Sequence, residues 1–442
     1  MGIFSRLFKS NSSGDAQPNM RFGRYTDSYK EESQYDFWDR SLEFFEAEEY
    51  LKAYDAFFRY LHDKTEDNVR WEENDGVIRF EVYQGSKKIV GTADRTKISA
   101  EARIAHTDKL DIDFMRRLLE HNFRLKHSRF ALDDENNITI RFDSFTLDGS
   151  PYKLYFALKE VATSADKQDD LLLDEFRGLQ AVDAEHLKPL PEEEKKLKFD
   201  YLAGEIAWVL ERLNRKQPSI DEYPGGYAYM LLHLIYKLDY LIRPEGFMME
   251  TLERMHRRYF ANDGAPLGDK IEGLKRELQG LMNRDQEDFF KEMYEVTSTF
   301  GITNAVNHDR IVSFIDGELH NMNWYQENGF PMLAVSVPGY IVGYCMFNYA
   351  IPLPDRDLFH LYYRIVETPF FLKLGFVQRL YNVANDSFDK KGIRKELKRI
   401  VEKHQDKYPQ FSPKTSMLNF RTLPDFARSY LLMMRELNLT RS

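Results

Sequence analysis

The chain has 442 residues, 43% of them hydrophobic and 14% aromatic, so it can bury a sizeable core over two or three domains, and disorder over most of its length is excluded. Its 62 Lys and Arg stand against 72 Asp and Glu, and a formal charge of -10 opposes general attraction to phosphate backbones, which excludes nucleic acid as an expected partner. The single cysteine, Cys345, excludes a disulfide framework and a cysteine-based metal site. Between bulky apolar neighbours it reads as a small core residue in a reducing, cytoplasmic setting.

Residues 1–9 are too short in apolar length for a secretory signal, and Arg6 stands where a myristoylation motif wants Ser or Thr. Ile3, Phe4, Leu7 and Phe8 beside Arg6 and Lys9 make one amphipathic turn at most, a candidate for touching membrane or a partner. Residues 1–35 as a whole are expected to be a flexible lead-in. Over 38–61 the apolar positions 38, 42, 45, 50, 54, 57 and 61 keep one stripe on one or two helices. Residues 77–83 and 87–92 flank the turn Gln84-Gly85-Ser86 as a hairpin, and 97–105 is a third strand. A helix over 111–122 carries Ile112, Met115, Leu118 and Leu119. Residues 130–132 and 138–142 alternate apolar and polar across an acidic turn, 152–156 reads as another strand, and a helix with Leu158, Val161, Ala165, Leu172 and Phe176 closes the unit.

This order over about residues 37–178 resembles the type III secretion chaperone-like superfamily in its YbjN-type regulator branch. The likeness is carried by Leu118-Leu119-Glu120-His121-Asn122, by the strand ending Ile138-Thr139-Ile140-Arg141-Phe142, and by Ala165-Asp166 with Asp169, Asp170 and Leu172. It covers a third of the chain and implies an antiparallel-sheet module, 36–180, of a kind that grips partner polypeptide on sheet and helix surfaces.

Beyond Pro189 and Pro191, residues 190–284 read as helical. Phe199, Leu202, Ile206, Val209 and Leu213 form one buried stripe and Leu231, Leu234, Leu238 and Leu241 a second, with Pro224-Gly225-Gly226 as the connector. From 285 to 442 the rhythm of the first module returns: a helix through Phe289, Met293, Val296 and Phe300, strands at 310–316, 321–325 and 332–351, a helix at 357–367, and a last helix with Leu423, Phe426, Tyr430, Met433 and Leu437. The uncharged run 330–354 is long enough to span a bilayer, but Pro338-Gly339 reads as a turn that splits it into a strand pair. The fold class is therefore α+β: a chaperone-like sheet module, a helical middle, and a second α+β module that reads as a diverged copy of the first.

Signatures of chemistry are few. Glu253-x-x-His256 lacks the second copy a di-iron bundle needs, and the basic run Arg254, His256, Arg257 and Arg258 reads as a solvated helix face. The acidic set Asp166, Asp169, Asp170, Asp174 and Glu175 reads as a solvent-facing stripe, and His308-Asp309 as a turn. No catalytic, cofactor or metal residue is assigned, and enzymatic activity is not the leading expectation. Aromatic excess in the C-terminal half nominates Trp324, Tyr325, Phe330, Tyr340, Phe370 and Phe371 as a partner-binding surface. The leading expectation is a non-enzymatic, chaperone-like or regulatory factor in the cytoplasm that binds a polypeptide partner and is compatible with homo-oligomers. An enzyme or small-ligand binder with a site between the modules, and a structural scaffold, are the alternatives.

Overall fold

The computed structural model describes residues 18–109, 112–176, 178–183, 185–214 and 222–441. The amphipathic turn expected at residues 1–9 lies outside them. The first half runs α1 (Glu32–Glu46), α2 (Tyr50–Leu61), β1 (Val69–Asn74), β2 (Val77–Gln84), β3 (Lys87–Ala93), β4 (Lys97–His106), α3 (Ile112–Asn122), β5 (Arg129–Leu132), β6 (Asn137–Phe145), α4 (Pro151–Glu175) and β7 (Gln180–Ala181). The strands form one antiparallel sheet in the order β1-β2-β3-β4-β6-β5, with β7 paired to the end of β4. Alternation decides the faces. Ile78, Phe80, Val82, Ile89, Ile98, Ala102, Ile138 and Ile140 turn inward onto Phe57, Phe58, Leu154, Leu158 and Val161 of α2 and α4, while Arg79, Glu81, Val90, Glu101 and Arg141 face outward. Gly91 has no side chain because the Phe80 ring lies over it: a Cβ there would stand 2.1 Å from Phe80 Cζ.

The second half is β8 (Lys188–Pro189), α5 (Glu192–Asn214), α6 (Pro224–Ile242), α7 (Gly246–Phe260), α8 (Leu267–Met282), α9 (Gln286–Lys291), β9 (Tyr294–Glu295), β10 (Asn304–Ala305), α10 (His308–Glu318), α11 (Asn321–Glu327), α12 (Pro331–Asn348), β11 (Tyr349–Ala350), α13 (Leu353–Val366), α14 (Thr368–Lys373), β12 (Tyr381–Asn382), β13 (Ser387–Phe388), α15 (Lys390–His404) and α16 (Leu423–Arg435). The chain is α+β, with an antiparallel sheet module and a helical region. The buried stripes expected on α5 and α6 are present.

Several expected elements differ. The strands expected at 310–316, 321–325 and 332–351 are helices α10, α11 and α12, so among the described residues the C-terminal part does not repeat the first module's sheet. α12 is buried on nearly every side and has no period to read, and Pro338 sits inside it. Gly339 and Gly343, one turn apart, let α6 press close: Cβ atoms there would stand 2.4 Å from His233 Nε2 and 2.6 Å from Tyr236 Cβ. Pro224-Gly225-Gly226 is the first turn of α6 rather than a connector, with proline in the position helices tolerate and Gly226 against Leu333 and Tyr325. The strand expected at 152–156 opens α4, because Ser150 caps it by accepting from the Lys153 N–H at 3.3 Å and Pro151 follows. The helix expected through Val296 and Phe300 stops at Lys291.

The expected flexible lead-in is also corrected from residue 18 onward. Phe22 is buried against His360 and Phe371, each at 5.2 Å, and the Gly23 N–H donates to the Tyr240 carbonyl at 2.8 Å. Gly23 has φ +67°, and a Cβ would collide with the Tyr240 ring at 2.6 Å. Arg24 enters the helical half between Asp239 (2.7 Å) and Glu253 (3.1 Å). Asp27 joins both halves: Oδ2 accepts from Tyr155 Oη at 2.6 Å and Oδ1 from the Gly301 N–H at 3.1 Å. The tip of the β2–β3 hairpin completes the seam. Gly85 N–H donates to Thr297 O at 2.9 Å, and Gln84 Oε1 accepts from the N–H groups of Thr299 and Phe300 at 3.1 and 2.9 Å.

Candidate functional site

The six aromatic residues nominated from sequence fall into two groups. Phe370 and Phe371 are 2% exposed, Phe370 lying 4.1 Å from the Tyr201 ring and Phe371 against Phe22. Tyr340 is buried among Tyr229, Tyr236 and Phe314. These three are core: Tyr340 because helix α12 faces α6, and Phe370 and Phe371 because α14 packs against Tyr201 of α5 and against Phe22. Trp324, Tyr325 and Phe330 are brought together at the surface around Tyr223, and Trp324 is 45% exposed.

A run of exposed apolar side chains lies on the sheet module. On α3, Phe114 and Leu118 point inward, Phe114 onto Phe176 at 5.1 Å, while Ile112, Met115 and Leu119, with Phe123 in the turn just past its end, form a stripe on the opposite side. Ile112 is 79%, Leu119 67% and Phe123 94% exposed. At 100° per residue the outward three on the helix span one arc and the inward two the other. The sequence reading grouped Ile112, Met115, Leu118 and Leu119 as one apolar set, which does not separate the covered Leu118 from the three exposed side chains. The loop after α3 is fixed to α4 by Glu160, whose carboxylate accepts from the N–H groups of Lys126, His127 and Ser128, each at 2.8 Å. Burial works to raise the Glu160 pKa, and these donors outweigh it and hold the carboxyl below its usual range. Tyr152 and Phe156 precede Glu160 by two turns and one on α4 and are exposed, Tyr152 beside Trp38 of α1 at 5.0 Å, and Phe145 and Leu147 are exposed as well. Arg116, Arg117, Arg124 and Lys126 are exposed on α3 and the loop after it, with Asp113 and Glu120 among them and Arg117 paired to Glu120 at 4.0 Å.

The outer face of the sheet forms a concavity of about 1000 Å³. Its charges are matched across strands, as in Arg141–Glu101 at 2.8 Å and Lys88–Glu81 at 3.6 Å, which is the pattern of a solvated face.

A third feature is a cleft of about 500 Å³ where α4, the α6–α7 turn and residues 296–303 meet. Here the acidic set of α4 departs from the solvent-facing stripe expected of it. Asp166 Oδ1 accepts from Ser86 N–H at 2.8 Å, and Asp169 Oδ2 accepts from Ser86 Oγ at 2.7 Å and pairs with Lys87 Nζ at 2.9 Å. Gly85, at φ +55°, makes room: a Cβ would stand 1.8 Å from Asp166 Oδ1. The side chains of Asp170, Asp174 and Glu175 lie outside the described residues. Burial, with Glu245 and Asp169 beside it, pushes the Asp166 carboxyl well above the usual carboxylate range, against the Ser86 N–H and Lys87. A raised carboxyl stabilises the fold at acid pH, and that contribution is lost as pH rises through its folded value. Asp166→Asn keeps the Ser86 bond, so it is expected to raise stability at neutral and alkaline pH, with the gain vanishing at acid pH. Urea unfolding of both proteins across pH checks this.

Other candidates are structural. Glu253 and His256 are not a surface pair: Glu253 holds Arg24, and His256 Nδ1 meets Tyr236 Oη at 2.8 Å. Arg254 and Arg258 pair with Glu277, and Arg257 with Glu250 and Glu253. His308 opens α10 and meets Asp355 of α13 at 2.9 Å, both buried, and burial pushes the Cys345 thiol up. Among the described residues no group of three or more His, Cys, Asp or Glu is placed to hold a metal ion, and no helix is long and apolar enough to cross a membrane. Comparison with protein-family models and with curated protein sequences gave no match.

Proposed function

We propose that the chain is a polypeptide-binding factor, chaperone-like or regulatory and cytoplasmic, that holds a partner segment on the outer face of α3. The observation that carries this is the stripe Ile112, Met115, Leu119 and Phe123, exposed on a helix whose other face is already packed. Each such side chain contributes about 1.5–3 kcal/mol when a partner covers it, so contiguous exposure on this scale marks an interaction surface. The basic side chains on α3 and the loop after it fit an apolar segment flanked by Asp or Glu. They favour a peptide over an anionic membrane, because a membrane also confronts the remainder of a chain with formal charge -10, whereas a peptide meets only charges within about a Debye length, roughly 8–10 Å. The likeness of residues 37–178 to type III secretion chaperone-like proteins supports the same reading.

The test is affinity purification of the tagged full chain from its native cytosol beside the variant Leu119→Glu/Phe123→Ser. A stoichiometric polypeptide recovered with the parent and depleted at least tenfold with the variant is expected (about 1.4 kcal/mol). Equal recovery by both proteins, or recovery of lipid alone, overturns the assignment, and recovery of a second copy of the chain makes that copy the partner.

A further inference from the structure

Two ionisable groups in the wall of the inter-module cleft are left incompletely satisfied by the protein. Arg243 ends α6 in the left-handed conformation, φ +54°, which a residue other than glycine adopts at a cost. Its guanidinium makes no hydrogen bond or ion pair among the described residues. Burial, with Arg21 and Arg356 nearby, pulls it below its ordinary value despite Glu245 and Glu66. On α4, Asp166 spends Oδ1 on the two Ser86 donors, at 2.8 and 3.4 Å, while Oδ2 accepts no hydrogen bond among the described residues. Both side chains line the same cavity, and Met249, Ile302 and Phe347 add apolar wall. Its volume, about 500 Å³, falls among those of small-molecule sites.

The arrangement selects by charge. A free anion matches Arg243 but meets Asp166, Glu245, Asp239 and Glu253 in the same lining, and a free cation matches Asp166 but meets Arg24, Lys167 and Arg243. A guanidinium is matched by a carboxylate in two parallel hydrogen bonds, and a carboxylate oxygen beside a second carboxylate by an ammonium with three donors. We propose that this cleft binds a small zwitterion of the amino-acid class, up to a dipeptide, with its carboxylate on Arg243 and its ammonium on Asp166. The site shares no residue with the α3 surface and stands or falls apart from it.

The test is the melting temperature of the full chain with each of the twenty amino acids and a set of glycyl dipeptides at millimolar concentration. At least one is expected to raise it by a few degrees, while the N-acetylated and C-amidated forms of that compound, each lacking one charge, do not. Arg243→Gly relieves the left-handed backbone, so the free variant is expected to melt at or above the parent temperature and to lose the ligand shift. Asp166→Asn, which keeps the Ser86 contact, is expected to lose the shift as well. The proposal is overturned if no compound moves the parent, if the shift survives in both variants, or if free Arg243→Gly melts below the parent, which would make Arg243 a structural cap.

Discussion

Arg24→Ala is expected to destabilise the chain by about 3–5 kcal/mol, the cost of breaking a buried pair and leaving its carboxylates uncompensated. The Arg24 guanidinium grips Asp239 in two hydrogen bonds, Nη2 to Oδ1 at 2.7 Å and Nε to Oδ2 at 3.0 Å, reaches Glu253 at 3.1 Å, and lies 3.8 Å over the Phe347 ring. Removing it strands Asp239, which is nearly enclosed, and unpins residues 18–30 from α6 and α7. Arg24→Lys is expected to recover only part of the loss, since an ammonium cannot bridge both partners and lie flat on the ring. The midpoint of urea unfolding reads both. The same pair sets an acid limit. Burial works to raise the Glu253 pKa, but Arg24, Lys167 and Arg257 outweigh it and hold the carboxyl below the ordinary glutamate range. Its stabilisation is therefore full above that range and lost as pH falls through the depressed value, and Arg24→Ala is expected to flatten this acid slope.

The second large effect is on binding and leaves the fold alone. Leu119→Glu/Phe123→Ser replaces two side chains that touch little in the free chain, so stability is expected to stay within about 0.5 kcal/mol of the parent. If both are anchors for a partner segment, their loss costs about 2–4 kcal/mol of binding, on the order of a 30- to 1000-fold rise in Kd. Titration of the partner recovered by affinity purification gives that ratio, with unfolding midpoints as the control. A matched pair of substitutions on the inward face, Phe114→Ser/Leu118→Ser, is expected to do the reverse and unfold α3 from the sheet.

What could be read from the amino-acid sequence follows from how each residue type announces its surroundings. Strands β2, β3, β4 and β6 were legible because one face is core and the other solvent, which writes a period of two. The stripe Leu202, Ile206, Val209, Leu213 on α5 was legible for the same reason at a period of 3.6, and Leu231, Leu234, Leu238, Leu241 keep that period on α6 although nearly all of that helix is buried. α12 was not, since a helix buried on all sides has no stripe, and Pro338-Gly339 has the local chemistry of a turn until His233 is known to occupy the space over Gly339. Half of the nominated aromatic surface was misplaced for a related reason: Tyr340, Phe370 and Phe371 are buried by segments distant in sequence, and aromatic content alone does not tell a core ring from an exposed one. Asp166 and Arg24 were illegible for another reason. Their partners Ser86, Asp239 and Glu253 are 80, 215 and 229 residues away, and no local pattern encodes such pairing. α3 lies between these cases: its two apolar faces were present in the spacing, and only the packed neighbour shows which is covered.

The most direct test of the α3 surface is a photo-crosslinking residue placed at Leu119 in the full chain, with a second protein carrying it at Val90 on the solvated outer face of the sheet. The account predicts a discrete polypeptide adduct from position 119 in native cells and none from position 90. Adducts of equal yield from both positions, or only lipid adducts from 119, would contradict it.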